Sequence, residues 1–275
     1  MHKKERNFTT APLPFMGQKR NFLKEFNKAL ENYPQNAIYV DLFGGSGLLS
    51  HTVKQLYPEA RVIYNDFDNY SERLKNIDKT NALLSDFRDI LDGYPKDKKI
   101  DEPYKSAILD RLKKEHELGF VDWITVSSSI LFSMKYFLCF EEFKKGTLYN
   151  TMKQGAYDAT GYLDGVETLS GDYRQLFDMF KDNENVVFLC DPPYLSTDVK
   201  AYKNYWKLTD YLNVLQVLKD TRYFYFTSNK SSIVELCQWI QDNTGGTNPF
   251  QYATTVSMKA NVTFQSSYTD IMLFK

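Results

Sequence analysis

The sequence predicts an α/β protein built on a doubly wound, mostly parallel sheet that is interrupted by a helical insertion. Three observations carry that prediction. Residues 38–66 read as strand, glycine turn, helix, strand and acid. The strand–helix alternation resumes near residue 166 and runs to the C-terminus, and the residues between are helical and loop-rich. The chain has 275 residues, 43% of them hydrophobic, which is enough for a sizeable core in one interrupted domain.

Each element follows from its local pattern. Phe22, Phe26 and Leu30 recur every four residues, with Leu23 widening the face, so a helix is expected over 18–33, stopped by Pro34. An apolar strand over 38–43 runs into Gly44-Gly45-Ser46-Gly47, a helix spans 48–57 up to Pro58, and a strand at 61–64 leads to Asn65-Asp66. Helical text follows over 69–117, broken by a lysine-rich loop at 92–101, and another helix is expected over 121–143. After a Gly, Asn, Thr and Tyr-rich loop come a strand near 166–169, a helix at 173–180, a strand at 186–190 and a helix at 208–218. A strand at 223–227, a helix at 233–240 and two strands near 251–257 and 269–274 complete the pattern. The expected division is a Rossmann-like domain of residues 1–69 and 166–275, with 70–165 inserted.

Composition excludes several classes. Lys+Arg number 34 and Asp+Glu 35, so bulk positive charge does not hold a polyanion, although a local basic groove is compatible with the total. Twenty Phe and 20 Tyr rule out a disordered chain. Cys139, Cys190 and Cys237 stand far apart without a CxxC pair, and His2, His51 and His116 are isolated, so neither a disulfide framework nor a metal site is expected. Ser127-Ser128-Ser129 lacks the elbow of a serine hydrolase, and Cys190 sits in an apolar strand as core. No apolar signal core follows the charged N-terminus, and the most apolar stretch falls short of a membrane span. A soluble, cytoplasmic protein, monomeric and without a membrane partner, is expected.

Two segments carry chemistry. In Asp41-Leu42-Phe43-Gly44-Gly45-Ser46-Gly47, glycines admit a ligand close to the backbone at a helix N-terminus. Asp66, 21 residues after Gly45, is placed to accept the hydroxyls of a ribose. A plain strand–helix turn has the same glycines. Ser50 stands where a dinucleotide fingerprint needs its third glycine, which weakens a nicotinamide dehydrogenase. The second segment, Asp191-Pro192-Pro193-Tyr194, follows an apolar strand. Its prolines remove two N–H donors and stiffen the loop, leaving a carboxylate and free carbonyls that suit an aromatic amine, with Tyr194 available to stack on the base. The bland alternative is a Pro-Pro turn with a capping Asp.

These motifs in this order resemble the Dam-type DNA adenine methyltransferases, which depend on S-adenosylmethionine, and the resemblance covers nearly the whole chain. Pro14-Phe15-Met16-Gly17-Gln18-Lys19 is similar to that family's opening motif, with Phe15 where Trp is usual. The resemblance implies cofactor contacts at Phe15, Gly17, Lys19, Asp41, Phe43, Gly45, Gly47, Asp66, Asp172, Tyr173 and Asp191. It also implies catalysis by Asp191, Pro192, Pro193 and Tyr194, and places a later sheet-edge motif at Thr227-Ser228-Asn229. The expected activity is methyl transfer to adenine N6 in double-stranded DNA with base flipping, and the expected fold is that of the methyltransferases. The insertion then takes the place of a target-recognition domain.

Lys144, Lys145 and Lys153 in the insertion, and Lys200, Tyr202 and Lys203 beyond the DPPY segment, are candidate nucleic-acid contacts. A solvated helix face is the ordinary alternative for each lysine. Lys145 to Asn150 and Gly155 to Asp158 match the family's recognition stretch only in part. A cognate restriction endonuclease is a candidate partner, as in restriction-modification systems. The competing readings are transfer to RNA, to cytosine or to a protein glutamine, and a non-catalytic DNA-binding relative.

Overall fold

A computed structural model of the chain describes residues 7–132, 136–194, 206–263 and 266–275. Two compact units emerge. One comprises Asn7–Thr10, Gln18–Asp68 and Leu163–Lys275, the other Ala11–Gly17 and Asn69–Tyr162.

The first unit is an α/β sheet domain. Its strands are β1 (Ile38–Asp41), β2 (Arg61–Asn65), β3 (Glu167–Leu169), β4 (Val186–Cys190), β5 (Arg222–Ser228), β6 (Thr254–Thr263) and β7 (Ser266–Phe274). They form a seven-stranded sheet in the order β3-β2-β1-β4-β5-β7-β6. The first five are parallel, whereas β7 runs antiparallel to β5 and β6. The order reverses between β1 and β4, creating the switch point at which open α/β sheets bind ligands beyond the carboxyl ends of their strands. β4 is buried throughout, as its unbroken run Val-Val-Phe-Leu-Cys requires of a strand covered on both faces.

The helices of this domain are α1 (Leu23–Leu30), α2 (Leu48–Leu56), α8 (Tyr173–Phe180), α9 (Leu208–Leu218) and α10 (Ile233–Thr244). The helix expected over 18–33 is shorter, a 3-10 turn at Arg20–Phe22 leading into α1. Lys19 lies outside helical geometry because its side chain is drawn to an acid at the sheet edge. The four-residue spacing still does its work. Phe22 packs on Phe226 at 5.6 Å and Phe26 on Phe224 at 4.8 Å, both edge-on.

The second unit is helical, with α3 (Tyr70–Lys75), α4 (Ile77–Ile90), α5 (Tyr104–Glu117), α6 (Trp123–Ile130) and α7 (Phe140–Lys145). Its core includes Leu84, Phe87, Ile108, Leu112, Val126 and Phe143. The single helix expected over 121–143 is broken, and Leu131 is already extended. The Ser127 hydroxyl accepts from the Phe137 amide at 2.9 Å, and Tyr149 donates to the Ile130 carbonyl at 2.8 Å. The chain therefore turns back on itself, and Phe137 meets Phe143 edge-on at 5.2 Å.

One buried charge organises this unit. The Arg73 guanidinium donates to Asp122 at 3.0 Å, to the Pro14 carbonyl at 2.7 Å and to Thr125 at 3.2 Å, and it lies over the Tyr70 ring. Tyr70 in turn holds Leu13 through both backbone groups, at 3.0 and 3.1 Å. Removing one member of such a pair strands the other's charge. Arg73→Ala is expected to destabilise this unit by about 3–5 kcal/mol, seen as loss of amide hydrogen-exchange protection in α3 and α6 while β4 and β5 keep theirs.

Candidate active site at the carboxyl edge of the sheet

β1 delivers Asp41 to the switch point, where it is 1% exposed. Its Oδ2 accepts from the Ser50 hydroxyl at 2.8 Å, whereas Oδ1 meets no hydrogen-bond donor among the described residues. Burial pushes the carboxyl up to about 7, with the Ser50 hydrogen bond opposing and the nearby Asp191 adding to the rise. The glycine turn runs from here into α2. A Cβ on Gly44 would collide with the Tyr64 ring, and Gly47 caps α2 at φ 74°, so neither position accepts a side chain readily.

At the end of β2, Asn65 ties three segments together. Its amide donates to the Leu42 carbonyl at 2.9 Å and to the Gly171 carbonyl at 3.0 Å, and it accepts from the Gly171 amide at 3.1 Å. The Tyr64 hydroxyl lies 2.7 Å from the Gly45 carbonyl and 3.0 Å from Asp66 Oδ1, spanning the glycine turn and the acid. Phe67, next to Asp66, is an apolar side chain 55% exposed.

Asp191 follows β4. Its Oδ2 lies 2.6 Å from Lys19 Nζ, with side chains 19% and 9% exposed respectively. Burial raises the Asp191 carboxyl above the usual range, the Lys19 ammonium pulls it back, and Asp270 adds to the rise. Pro192 is buried. The Tyr194 carbonyl accepts from the Tyr211 hydroxyl at 3.3 Å, and Lys19 Nζ stands 5.4 Å from the Tyr194 ring centroid. Phe43 packs against Tyr173 at 4.9 Å and Trp206 at 5.8 Å, an aromatic wall beside the glycine turn.

The sheet domain thus brings together Lys19, Asp41, Phe43, Gly45, Gly47, Asp66, Tyr173 and the segment Asp191, Pro192, Pro193 and Tyr194. The Asp172 carboxylate is engaged locally, capping α8 and pairing with Arg174 at 2.7 Å, which holds it below the usual carboxylate range. Phe15 and Gly17 belong to the helical unit, where Phe15 packs edge-on against Tyr70. Lys144 and Lys145 lie exposed on α7, and Lys153 is exposed in the loop beyond it. Lys200, Tyr202 and Lys203 lie outside the described residues. Cys190 is fully buried and its thiol pushed well up, as befits core.

Sequence reasoning missed Ser50, Tyr64, Phe67 and Asp270. Tyr64 was discoverable, because it shares a strand face with Asp66 two residues on. Ser50 was too, standing in the first turn of the helix that points back at β1. Asp270 left no signal, since only the antiparallel return of β7 brings it to this edge.

A parallel sheet with this strand order, an antiparallel penultimate edge strand, and a glycine turn and carboxylates at the switch point define the Rossmann-like methyltransferase fold. The chain belongs to the D12 class N6 adenine-specific DNA methyltransferase family, whose profile it matches over residues 15–229. A Haemophilus influenzae protein named "Putative methyltransferase" is 36% identical over 280 residues, covering 98% of this chain and 94% of that one. Among solved structures, a precorrin-6y C5,15-methyltransferase of Geobacter metallireducens aligns at 9% identity, 98% and 99% coverage and a TM-score of 0.38. An rRNA methylase of Streptococcus thermophilus aligns at 13% identity, 95% and 99% coverage and a TM-score of 0.36. No helix among the described residues is long and apolar enough to cross a membrane, and no cluster of metal-ligating side chains occurs among them.

Asp41 makes stability depend on pH. Its folded pKa of about 7 exceeds the ordinary 3.8, so the folded state binds the extra proton. The stabilisation is fully present below pH 3.8 and lost as pH rises through about 7. Wild type should therefore lose up to about 4 kcal/mol relative to Asp41→Asn between acid and neutral pH, measured by urea unfolding at a series of pH values.

Proposed function

We propose that the protein transfers a methyl group from S-adenosyl-L-methionine to the exocyclic N6 amine of adenine in double-stranded DNA, with the target nucleotide flipped out of the duplex. The observation that carries this reading is Asp191, a partly desolvated carboxylate beside two prolines at the switch point.

The residues present fit the cofactor. Asp41 keeps a buried oxygen without a donor, which an ammonium would satisfy. Asp66, just past the end of β2, is assigned to the ribose, the Phe43 and Phe67 rings offer apolar faces for a purine, and the acids at this edge favour a cation. When bound, S-adenosylmethionine supplies a methyl already activated by its sulfonium. Phe15 and Gly17 are assigned to the same cofactor by the family motif.

What remains for the chain is positioning and charge stabilisation. The Asp191 carboxylate and the Pro192 carbonyl accept the two N–H bonds of the target amine, which localises its lone pair on nitrogen. As that nitrogen gains positive charge, a carboxylate whose proton affinity is raised by burial accepts its hydrogen bonds more strongly. Tyr194 stacks on the extruded base. The insertion, residues 70–165, serves target recognition, with Lys144, Lys145 and Lys153 meeting phosphates.

The test is incubation with methyl-labelled S-adenosylmethionine and DNA, RNA or protein, followed by identification of the modified nucleoside or residue. N6-methyladenine in DNA is expected. Label in RNA, in cytosine or in glutamine alone would replace this reading. Asp191→Ala is expected to slow transfer by at least about 10²–10³-fold while calorimetric binding of the cofactor persists.

A further inference from the structure

Asp41 closes β1 with its backbone fixed on both sides, paired with Tyr64 of β2 and Leu189 of β4. Strand pairing does not fix the carboxyl group, because the terminal torsion of an aspartate is broad. The Ser50 hydroxyl does, donating to Oδ2 at 2.8 Å from the third residue of α2. Asp41 is 1% exposed and Ser50 fully buried, so bulk water does not compete for this bond.

A hydroxyl within a helix commonly turns back to the carbonyl four residues earlier. Thr52, on the same helix, does this, donating to the Leu48 carbonyl at 2.7 Å. Ser50 instead directs its single proton to the acid of the preceding strand. That bond occupies one carboxylate oxygen, and Oδ1 accepts no hydrogen bond among the described residues. A pair that served only to pack α2 on β1 could be replaced by two apolar side chains at little cost. A buried acid with one oxygen anchored and the other unsatisfied suits a site that an incoming donor completes.

We propose that Ser50 is a positioning residue for the cofactor, holding Asp41 Oδ2 so that the carboxylate keeps Oδ1 for the α-ammonium of S-adenosylmethionine. The proposal rests on the cofactor assigned above, and Ser50 acts through Asp41 without a part in methyl transfer itself. The same bond keeps the acid charged, since an ammonium pairs with a carboxylate and not with a carboxylic acid. Ser50, the Phe43 amide and Lys19, from the segment before α1, hold the Asp41 pKa down, whereas burial and Asp191, beyond β4, push it up to about 7. The buried thiol of Cys190 faces the same acid. A glycine at position 50, as a dinucleotide fingerprint requires, would leave Asp41 without this donor.

The experiment compares wild type and Ser50→Ala in calorimetric binding of two ligands, S-adenosylmethionine and methylthioadenosine, which keeps the nucleoside and the sulfur but lacks the amino-acid group. In the ligand-free proteins ¹³Cγ-aspartate NMR follows the Asp41 carboxyl with pH, assigned by its loss in Asp41→Asn. Ser50→Ala should weaken S-adenosylmethionine about tenfold at neutral pH, the equivalent of one hydrogen bond to a charged group. Methylthioadenosine, without an ammonium, should bind both proteins alike. The Asp41 resonance should titrate near pH 7 in wild type and at higher pH in Ser50→Ala. The fall in S-adenosylmethionine affinity on acidification should move up with it. An equal loss for both ligands would reduce Ser50 to packing and overturn the proposal, as would an unshifted Asp41 midpoint or unchanged affinity for S-adenosylmethionine. Wild type that binds neither ligand would overturn the cofactor assignment and this role together. Wild type that binds S-adenosylmethionine but leaves DNA unlabelled would overturn the assigned acceptor alone, and the comparison of the two ligands would still decide the role of Ser50.

Discussion

The ion pair between Lys19 and Asp191 is the interaction on which the active edge depends. The Asp191 side chain is 19% exposed, and a desolvated carboxylate without a partner is costly. Lys19 meets that cost from the segment just before α1, and in doing so pulls its own backbone out of the helix that the hydrophobic spacing would otherwise extend. The departure from regular helix at the start of α1 and the charge balance of the site thus have one cause. α1 can tolerate the loss because Phe22, Phe26 and Leu30 already bury its apolar face against the sheet.

The same edge concentrates negative charge. Asp191 raises the proton affinity of Asp41 and Asp270 that of Asp191, and the Lys19 ammonium opposes the rise at all three acids. Such crowding serves no purpose in a structural core, where an apolar substitution would be more stable. It is the arrangement expected where a positively charged ligand completes the balance. Tyr64 and Asn65 supply the stiffness, joining the glycine turn, Asp66 and the β3–α8 turn through hydrogen bonds from uncharged side chains that add no further charge.

Much of this was legible in the sequence, for a physical reason. Buried parallel strands must be continuous apolar runs, so β4 could be read residue by residue, and α8 and α9 announced themselves by helical periodicity after turn residues. The motifs at the strand ends were legible because a glycine turn or a DPPY loop is a local geometry written in consecutive residues. What could not be read was anything produced by the chain returning from a distance. The break between α6 and α7 is made by Phe137 and Tyr149 satisfying groups at the end of α6, contacts that an apolar run does not encode. The place of Asp270 depends on β7 pairing against β5 in an antiparallel sense, which its own alternation of residues does not specify.

Charge is the last point at which local structure overrides composition. Asn69 to Tyr162 contains equal numbers of basic and acidic residues, so the insertion is no more cationic than the whole chain. Its balance is uneven along the surface, however. On α5, Arg111 is taken up by Asp86 and Glu115, and Lys113 faces Glu117, so that helix presents neutralised pairs. On α7, Glu141 and Glu142 occupy the first turn and Lys144 and Lys145 the last, an order that the helix dipole favours at both ends and that separates the two signs along the helix. Phosphate recognition needs a few cations in a fixed place, and the affinity per contact depends on counterion release at those points, not on net charge. A neutral insertion with cations gathered at one helix end, and Lys153 exposed in the following loop, is therefore as compatible with a DNA substrate as a basic one, while lacking the bulk attraction that would hold nucleic acid without regard to sequence.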